Sequence, residues 1–487
     1  MQTFFSVFCI FLLNFSKFLH AAECSSQSVT FTQNYTNFII MSNSSDLDPK
    51  TCKYMFTVPK YFVPTIQAVH LNLTGSNKIT VRQYSEFGGM KVYELTEGAN
   101  FKLGPVNFTV EISLPTKTPN DLFSIIVGVK DATPARTGYS FTVKPDLGEL
   151  IDSDQLVGNS TLDQIFDAGH PQSTYSIQVA MFTEDTVLLR LLPNIHIYDA
   201  GVFKGSLLDV LNAENASETC VGTKFTIINT DIGSVGIFSI LVMPKYDFKG
   251  QFFVKPVALG NATLVYTATN GVTIFHEITN PYGGRKTPSI YQSFVFRGDA
   301  TFQVFAGCVT GPQETRRIAT ITPSNSDNYE QLELFGRCKT YVLSQGVFQW
   351  SKNDTYLSDY THQIGRKGVI MSYTYPYEDD EGSFGNYLIQ SPDKQENMIV
   401  TYEVAYISAD THFDIKQSIS AGKEQLNSLT SSDKNFTSVV TYQQLSSYTV
   451  PKGSVGLLVR YTVTKLALSS LNSTLFIYLI ISVIFSF

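Results

Sequence analysis

Phe108-Thr109-Val110-Glu111-Ile112 and, further along, Phe225-Thr226-Ile227-Ile228-Asn229 read as one strand written twice. A second pair, Phe123-Ser124-Ile125-Ile126-Val127 and Phe238-Ser239-Ile240-Leu241-Val242, recurs at nearly the same distance. Ile79–Val81 finds its counterpart in Ile195–Ile197, about 116 positions on. Three matches at nearly one offset predict two successive modules of about 115 residues. Within Lys78–Tyr84, Ile79 and Val81 fall on one face, as expected of a strand buried on one side.

The rest of the interior has the same character. Short runs of Val, Ile, Thr, Tyr and Phe are broken every ten residues or so by Gly, Pro, Asn and Asp, with no sustained 3.6-residue period, which predicts an all-β protein built as sandwiches or barrels. An aromatic content of 13% suits pleated surfaces. Residues 132–150, with Pro134, Pro145 and Gly148, make a junction between a first module at 23–131 and a second, divergent one at 150–262 that lacks the first copy's cysteine pair. Beyond residue 262 the register is lost, although Tyr291–Phe296, Thr301–Phe305, Met398–Ala405 and Gly456–Val463 read as strands. The span 263–466 is expected to be one large divergent sandwich or two smaller ones, and its acidic run Glu378-Asp379-Asp380-Glu381-Gly382 a solvated turn rather than a cation site.

The ends speak of export. Phe4–Phe15 is almost wholly apolar and is followed by Lys17 and Ala21–Ala22, the outline of a signal peptide over residues 1–22, despite the absence of Lys or Arg ahead of it. Leu475–Phe487 is apolar apart from Ser482 and Ser486, shorter than the roughly 20 residues a spanning helix needs and without basic residues after it. With the small, polar stretch Ala467–Thr474 before it, the segment 467–487 is expected to be a GPI-anchor signal, with Ser470 and then Ser469 as attachment points, rather than a membrane span. The protein would then sit on the plasma membrane's outer leaflet, in sterol-rich rafts.

Once Cys9 departs with the leader, five cysteines remain, of which Cys24 with Cys52 and Cys308 with Cys338 are the neighbouring pairs. Cys220 is left as a buried thiol, an intermolecular bridge or a sign of different pairing. Nine Asn-x-Ser/Thr triplets, at Asn34, Asn43, Asn72, Asn107, Asn159, Asn215, Asn261, Asn353 and Asn435, predict a glycoprotein. A net charge of −7 without any basic block argues against nucleic acid as a partner.

Sequence motifs for catalysis are missing. The histidines show no zinc spacing, and no nucleophile elbow or phosphate-binding loop is present, so neither a metal nor a cofactor is expected. The one adjacent pair of interest, His276-Glu277, reads as a strand-surface pair. A hydrolase on a β-sandwich scaffold remains the alternative, with Asp199, Asp209 or Glu277 as acid and base.

Cys24, a strand, a long turn, then Cys52-Lys53-Tyr54-Met55-Phe56-Thr57-Val58-Pro59 and the Ile66–Leu73 and Lys78–Tyr84 strands together resemble the start of a CUB domain. They are most similar to the CUB-like domains of nematode secreted surface proteins, several of which belong to intestinal and innate immune responses. The resemblance covers about 120 residues well and the next 115 or so weakly. It implies tandem CUB-like jelly-roll sandwiches and a Cys24–Cys52 disulfide; the second CUB cysteine pair is missing from the first module, and no calcium-binding set is carried over. The function it implies is non-enzymatic recognition at an epithelial surface, of a protein or carbohydrate ligand, microbial ones included.

Overall fold

In a computed structural model of the chain the described residues are 26–466, apart from 43–49, 134–138, 157–160, 167–173, 183–188, 214–220, 231–237, 245–246, 258–259, 270, 281–287, 355–361, 392–396, 420–422 and 442. The segment 1–22 read as a signal peptide, Cys24, Cys220 and the segment 467–487 with Ser469 and Ser470 lie outside them. Among the described residues no helix is long and apolar enough to cross a membrane.

The chain is all-β, as its composition predicts. The first module contains β1 (Gln27–Thr30), β2 (Asn37–Met41), β3 (Lys50–Thr57), β4 (Phe62–Asn72), β5 (Lys78–Ser85), β6 (Gly89–Glu94), β7 (Asn100–Lys102), β8 (Phe108–Leu114) and β9 (Leu122–Asp131). They form two sheets, in the orders β1-β3-β8-β5-β6 and β2-β9-β4-β7, with β1 parallel to β3. Period-two patterning causes the layering. Phe108, Val110, Ile112 and Leu114 of β8 are buried, while Thr109, Glu111 and Ser113 turn toward the other face. Ile79 and Val81 are fully buried opposite Ile112 and Val110. Phe56 stacks on Phe108 across the ladder at 4.8 Å.

The second module contains β10 (Tyr139–Val143), β11 (Glu149–Asp152), β12 (Thr161–Phe166), β13 (Tyr175–Met181), β14 (Ile195–Asp199), β15 (Val202–Ser206), β16 (Val221–Gly222), β17 (Phe225–Asn229) and β18 (Phe238–Pro244). Its orders, β10-β12-β17-β14-β15 and β11-β18-β13-β16, match the first module strand for strand, including a parallel first pair. Ile195 faces Asn229 and Ile197 faces Ile227, so the sequence repeat is also a repeat of register. Phe123 and Phe238 lie buried on the equivalent β9 and β18. A short helix, α1 (Leu207–Asn212), follows β15 and is closed by a capping box between Ser206 and Asp209. β10 occupies part of the stretch read above as a junction.

The pattern then recurs twice more. The third module contains β19 (Gln251–Val257), β20 (Ala262–Ala268), β21 (Thr273–Thr279), β22 (Ser289–Arg297), β23 (Phe302–Ala306), β24 (Arg317–Ile321), β25 (Leu332–Leu334), β26 (Cys338–Leu343) and β27 (Gly346–Asn353). Its orders, β19-β21-β26-β23-β24 and β20-β27-β22-β25, are again the same, and β19 is parallel to β21. The fourth contains β28 (Lys367–Met371), β29 (Ser383–Gln390), β30 (Met398–Ile407), β31 (His412–Ile419), β32 (Lys423–Leu429), β33 (Asn435–Val440), β34 (Gln443–Val450) and β35 (Leu457–Lys465). Its orders, β29-β34-β31-β32 and β28-β35-β30-β33, reproduce the module without the parallel first strand, which has no counterpart among the described residues. The region past residue 262, where sequence register was lost, thus takes the two-sandwich form. The strand opening the third module, β19, lies ahead of it, within 150–262.

The modules associate in pairs. One compact unit is residues 1–145 and 151–242; the other is Asp146–Leu150 with residues 243–487. In the first unit the β5–β6 hairpin carries Phe87 into the second module's core beside Phe141, Ile197 and Leu207. Phe87 N–H donates to the Lys204 carbonyl at 2.8 Å, Lys204 meets Glu86 at 2.5 Å, and Lys91 pairs with the buried Asp209. Gly104 has no side chain because the Phe203 ring lies where one would go, 2.8 Å from a Cβ there.

Phe87→Ala should cost about 3–5 kcal/mol, the range for emptying a buried phenylalanine site. Calorimetry should show the first unit's single transition splitting as its two modules uncouple.

Candidate recognition cleft

The carboxylates named for catalysis are each tied into local structure. Asp199 accepts from the N–H groups of Thr223 and Lys224, at 2.9 and 2.8 Å. Asp209 serves the α1 cap, taking Ser206 N–H at 2.8 Å, and pairs with Lys91. His276 and Glu277 are both fully buried, which corrects their reading as a strand-surface pair. They sit on opposite faces of β21. Glu277 points into the third core, where Tyr291 and Tyr266 donate to it at 2.6 and 2.7 Å and Lys339 stands 3.7 Å away.

Cross-strand register explains that cluster. Glu277 faces Lys339 in the third module at the station where Phe56 faces Phe108 in the first, so a stacked apolar pair has become a buried ion pair. Burial, and then the Glu277 charge, pushes both tyrosine hydroxyls well above their usual range, while burial lowers the Lys339 ammonium against the pull of Glu277. These groups bond to each other inside the core. They hold structure and face no opening.

His276, on the other face, lies 3.1 Å from the Thr340 hydroxyl and close to the sulfurs of Cys308 and Cys338. Those cysteines are joined in a disulfide with Cα atoms 5.4 Å apart, so they offer no thiolate to a metal. Cys52 is also disulfide-bonded; the pairing read for it, with Cys24, falls outside the described residues. Asp379 of the acidic turn is buried, a correction to its reading as solvated, and accepts from the N–H groups of Glu381 and Gly382 at 3.2 and 3.0 Å.

Among the described residues, an opening lies in the second unit, between the third and fourth modules. Its cavity is about 50 Å³, well below the range of about 300–1,000 Å³ typical of enclosed small-ligand sites, so it is a shallow surface cleft open to solvent. Glu333 and Phe335 come from β25 and the residue after it, Tyr373 from the turn after β28, Asn386 and Tyr387 from β29, and Tyr448 from β34. Phe335 meets Tyr373 edge-on at 4.9 Å, and Tyr373 meets Tyr448 likewise at 6.1 Å. Glycine shapes the wall: Gly385 faces Tyr448 across the ladder and any Cβ there would strike its ring. Gly368 and Tyr461 repeat the arrangement beneath.

A polar floor supports the cleft. Tyr387 shares a 2.8 Å hydrogen bond with Tyr461, whose hydroxyl lies 3.1 Å from His362 Nε2. Arg366 donates to the Gln331 carbonyl at 2.9 Å. Burial raises the Glu333 carboxyl above the usual carboxylate range, with the Arg366 guanidinium pulling the other way. Sequence reading missed all of these residues; the available signal was glycine inside strand patterns at 368 and 385.

Of the glycosylation candidates, Asn34, Asn72, Asn107, Asn261 and Asn435 are exposed and Asn353 is half-buried; Asn43, Asn159 and Asn215 lie outside the described residues. Asn107 accepts the Val58 N–H through its side-chain oxygen at 3.0 Å, leaving its nitrogen for a glycan.

No family model matches the sequence, and no curated protein matches it. Among solved structures, the chain is similar to the CUB1-EGF-CUB2 domain of human MASP-1/3, at 10% identity over 43% of this chain and 99% of that one, with a TM-score of 0.17. The CUB1-EGF-CUB2 domains of rat MASP-1 give 9% identity over 43% and 100%, with a TM-score of 0.15. The full extracellular region of zebrafish Gpr126/Adgrg6 gives 9% identity over 91% of this chain and 57% of that one, with a TM-score of 0.19. At these scores the architecture stands on its own strand order and register.

Two outcomes are expected for the buried polar groups. Glu277→Ala should destabilise the second unit by about 3–5 kcal/mol, because it strands Lys339, and replacing both residues by leucine should recover part of the loss; denaturant melts of the single and double variants decide this. Burial lowers His196 to about 4 and His276 to about 3. Unfolded histidine titrates near 6.5, so the unfolded state binds more protons below that pH. Their contribution is full above about 6.5 and is lost as pH falls toward those lowered values. The thermal midpoint should drop between pH 7 and pH 5, and less so in His196→Phe.

Proposed function

We propose that this chain is a non-enzymatic glycoprotein of the cell surface that recognises a ligand through the cleft of its second unit. The observation that carries this reading is the make-up of the cleft. Among its eleven lining residues Glu333 is the one carboxyl, whereas glycoside hydrolysis ordinarily needs two carboxyls facing one bond. The three carboxylates that the hydrolase alternative would use are held by turn, cap and core partners instead.

Exposed sequons and a disulfide accord with passage through an oxidising secretory route. The apolar leader and tail add export and a GPI anchor in raft membrane of the outer leaflet. The resemblance of the first module to nematode CUB-like surface proteins adds the setting, an epithelial innate immune or stress response. A ligand of protein or carbohydrate nature, microbial ones included, fits that setting.

Purified ectodomain, residues 23–466, should show saturable binding on glycan and protein arrays with no product released from the bound ligand. Release of hydrolysed product by the wild type, lost in Glu333→Gln, would replace this reading with the enzymatic one.

A further inference from the structure

Beyond ligand recognition, we infer that His276, Cys308 and Cys338 of the third module form a redox-controlled zinc site, metal-free while the two cysteines are joined and zinc-holding once a dithiol has reduced them. Register builds the cluster. On β21 and β26, His276 faces Thr340 and Ile278 faces Cys338, so His276 and Cys338 are diagonal neighbours on the face turned away from Glu277 and Lys339. Cys308, just past the end of β23, brings the other sulfur to the same place. A ring nitrogen of His276 and the two sulfurs lie within 4.8 Å of one another, and all three residues are buried. A tetrahedral zinc with Zn–S bonds of about 2.3 Å holds two sulfurs about 3.8 Å apart, so the cluster needs the S–S bond opened and side-chain shifts of about 1 Å.

Neighbouring hydrogen bonds orient the imidazole as a ligand. The Thr340 hydroxyl donates to the Gly307 carbonyl at 2.7 Å and accepts the Val309 N–H at 2.9 Å, so at 3.1 Å from His276 Nδ1 it accepts that nitrogen's proton as well. The lone pair is thereby on Nε2, the arrangement in which an outer partner fixes the tautomer of a metal-bound histidine. Charge selects the metal. Two thiolates buried without a counter-ion would be costly; a divalent ion neutralises both, and a neutral imidazole adds no charge. Calcium and magnesium take oxygen ligands, whereas sulfur and imidazole suit zinc, and copper(I) would leave a negative charge behind. Three protein ligands leave the fourth position to water. Ile274, Phe305 and Val342 share this face, and the Phe252 ring stacks on His276 at 6.3 Å, which keeps the surroundings apolar. The exchange balances: two electrons from the dithiol cleave the Cys308–Cys338 bond as its own sulfurs join, and its two protons pass to the cysteines and leave when zinc binds.

The test uses the mature protein without a histidine tag, reduced anaerobically with a phosphine, which competes for metal less than a dithiol does, and titrated with cobalt(II) as a spectroscopic substitute for zinc. Thiol alkylation and mass spectrometry report which cysteines are reduced. Sulfur-to-cobalt charge-transfer bands and tetrahedral ligand-field bands are expected, saturating at one cobalt per chain, displaced by zinc and absent from the oxidised protein. Zinc should also raise the thermal midpoint of the reduced protein and leave that of the oxidised protein unchanged. Replacing both cysteines, Cys308→Ser with Cys338→Ser, should abolish the bands, which separates this site from Cys24, Cys52 and Cys220. Thr340→Val should weaken cobalt binding by about 10–100-fold, the usual loss when the outer partner of a ligating histidine is removed. His276→Gln should weaken it at least as much, and Thr340→Val carries the comparison should that variant fail to fold. A Cys308–Cys338 bond that resists reduction in the folded protein, a reduced protein that binds no cobalt, or bands that persist in the double serine variant would each overturn the site.

Discussion

The ladder in which each module's central strand lies between two antiparallel neighbours is the constraint on which the rest of the structure depends. In the first module this strand is β8, held between β3 and β5; its equivalents are β17, β26 and β34. Every inward residue of the larger sheet is assigned by it, since a slip of one position would turn Val110 and Ile112 out and Glu111 in. The same alternation fixes which residues of β3 and β5 meet the facing sheet. That explains how four stretches with little sequence in common arrive at one strand order.

What the ladder does not constrain is the chemistry of the pair at a given station, provided the interior is filled and its polar groups bonded. Phe56 with Phe108 fills it by stacking. Glu277 with Lys339 fills it by charge, at the cost of desolvation, offset by the hydroxyls of Tyr266 and Tyr291. The fourth module places Gln444 at this station, accepting from Tyr402 at 2.7 Å. In that module glycine on one strand lets a tyrosine on the next fold inward, as Gly385 does for Tyr448 and Gly368 for Tyr461. The cleft is a product of this exchange: the ring that covers a glycine also forms its wall.

How far the fold could be read from sequence follows from the same facts. The first two modules were legible because Phe108 and Phe225, and Ile79 and Ile195, are like residues at like stations. The third and fourth were not, because Lys339 and Gln444 stand where a phenylalanine would have marked the repeat. The polar pair His276-Glu277 read as surface because alternation equates polar with exposed; its burial depends on hydroxyls from β20 and β22, visible only once strands are paired. The cleft was illegible for a related reason. Gly385 and Tyr448 are far apart in sequence and become informative only through register.

Pairing of modules adds a second level. Phe87 of the first module enters its neighbour's core in the first unit, and Val369, Met371 and Leu458 of the fourth module lie in the third module's core, so side chains cross the seam in each unit while each module keeps a core of its own. The central claim is that four equivalent ladders organise the chain. Amide hydrogen exchange of the mature protein, followed by mass spectrometry, tests it most directly. The account predicts four separate maxima of protection, at Phe108–Leu114, Phe225–Asn229, Cys338–Leu343 and Gln443–Val450. A single maximum across 263–466, or rapid exchange at Cys338–Leu343 or Gln443–Val450, would contradict it.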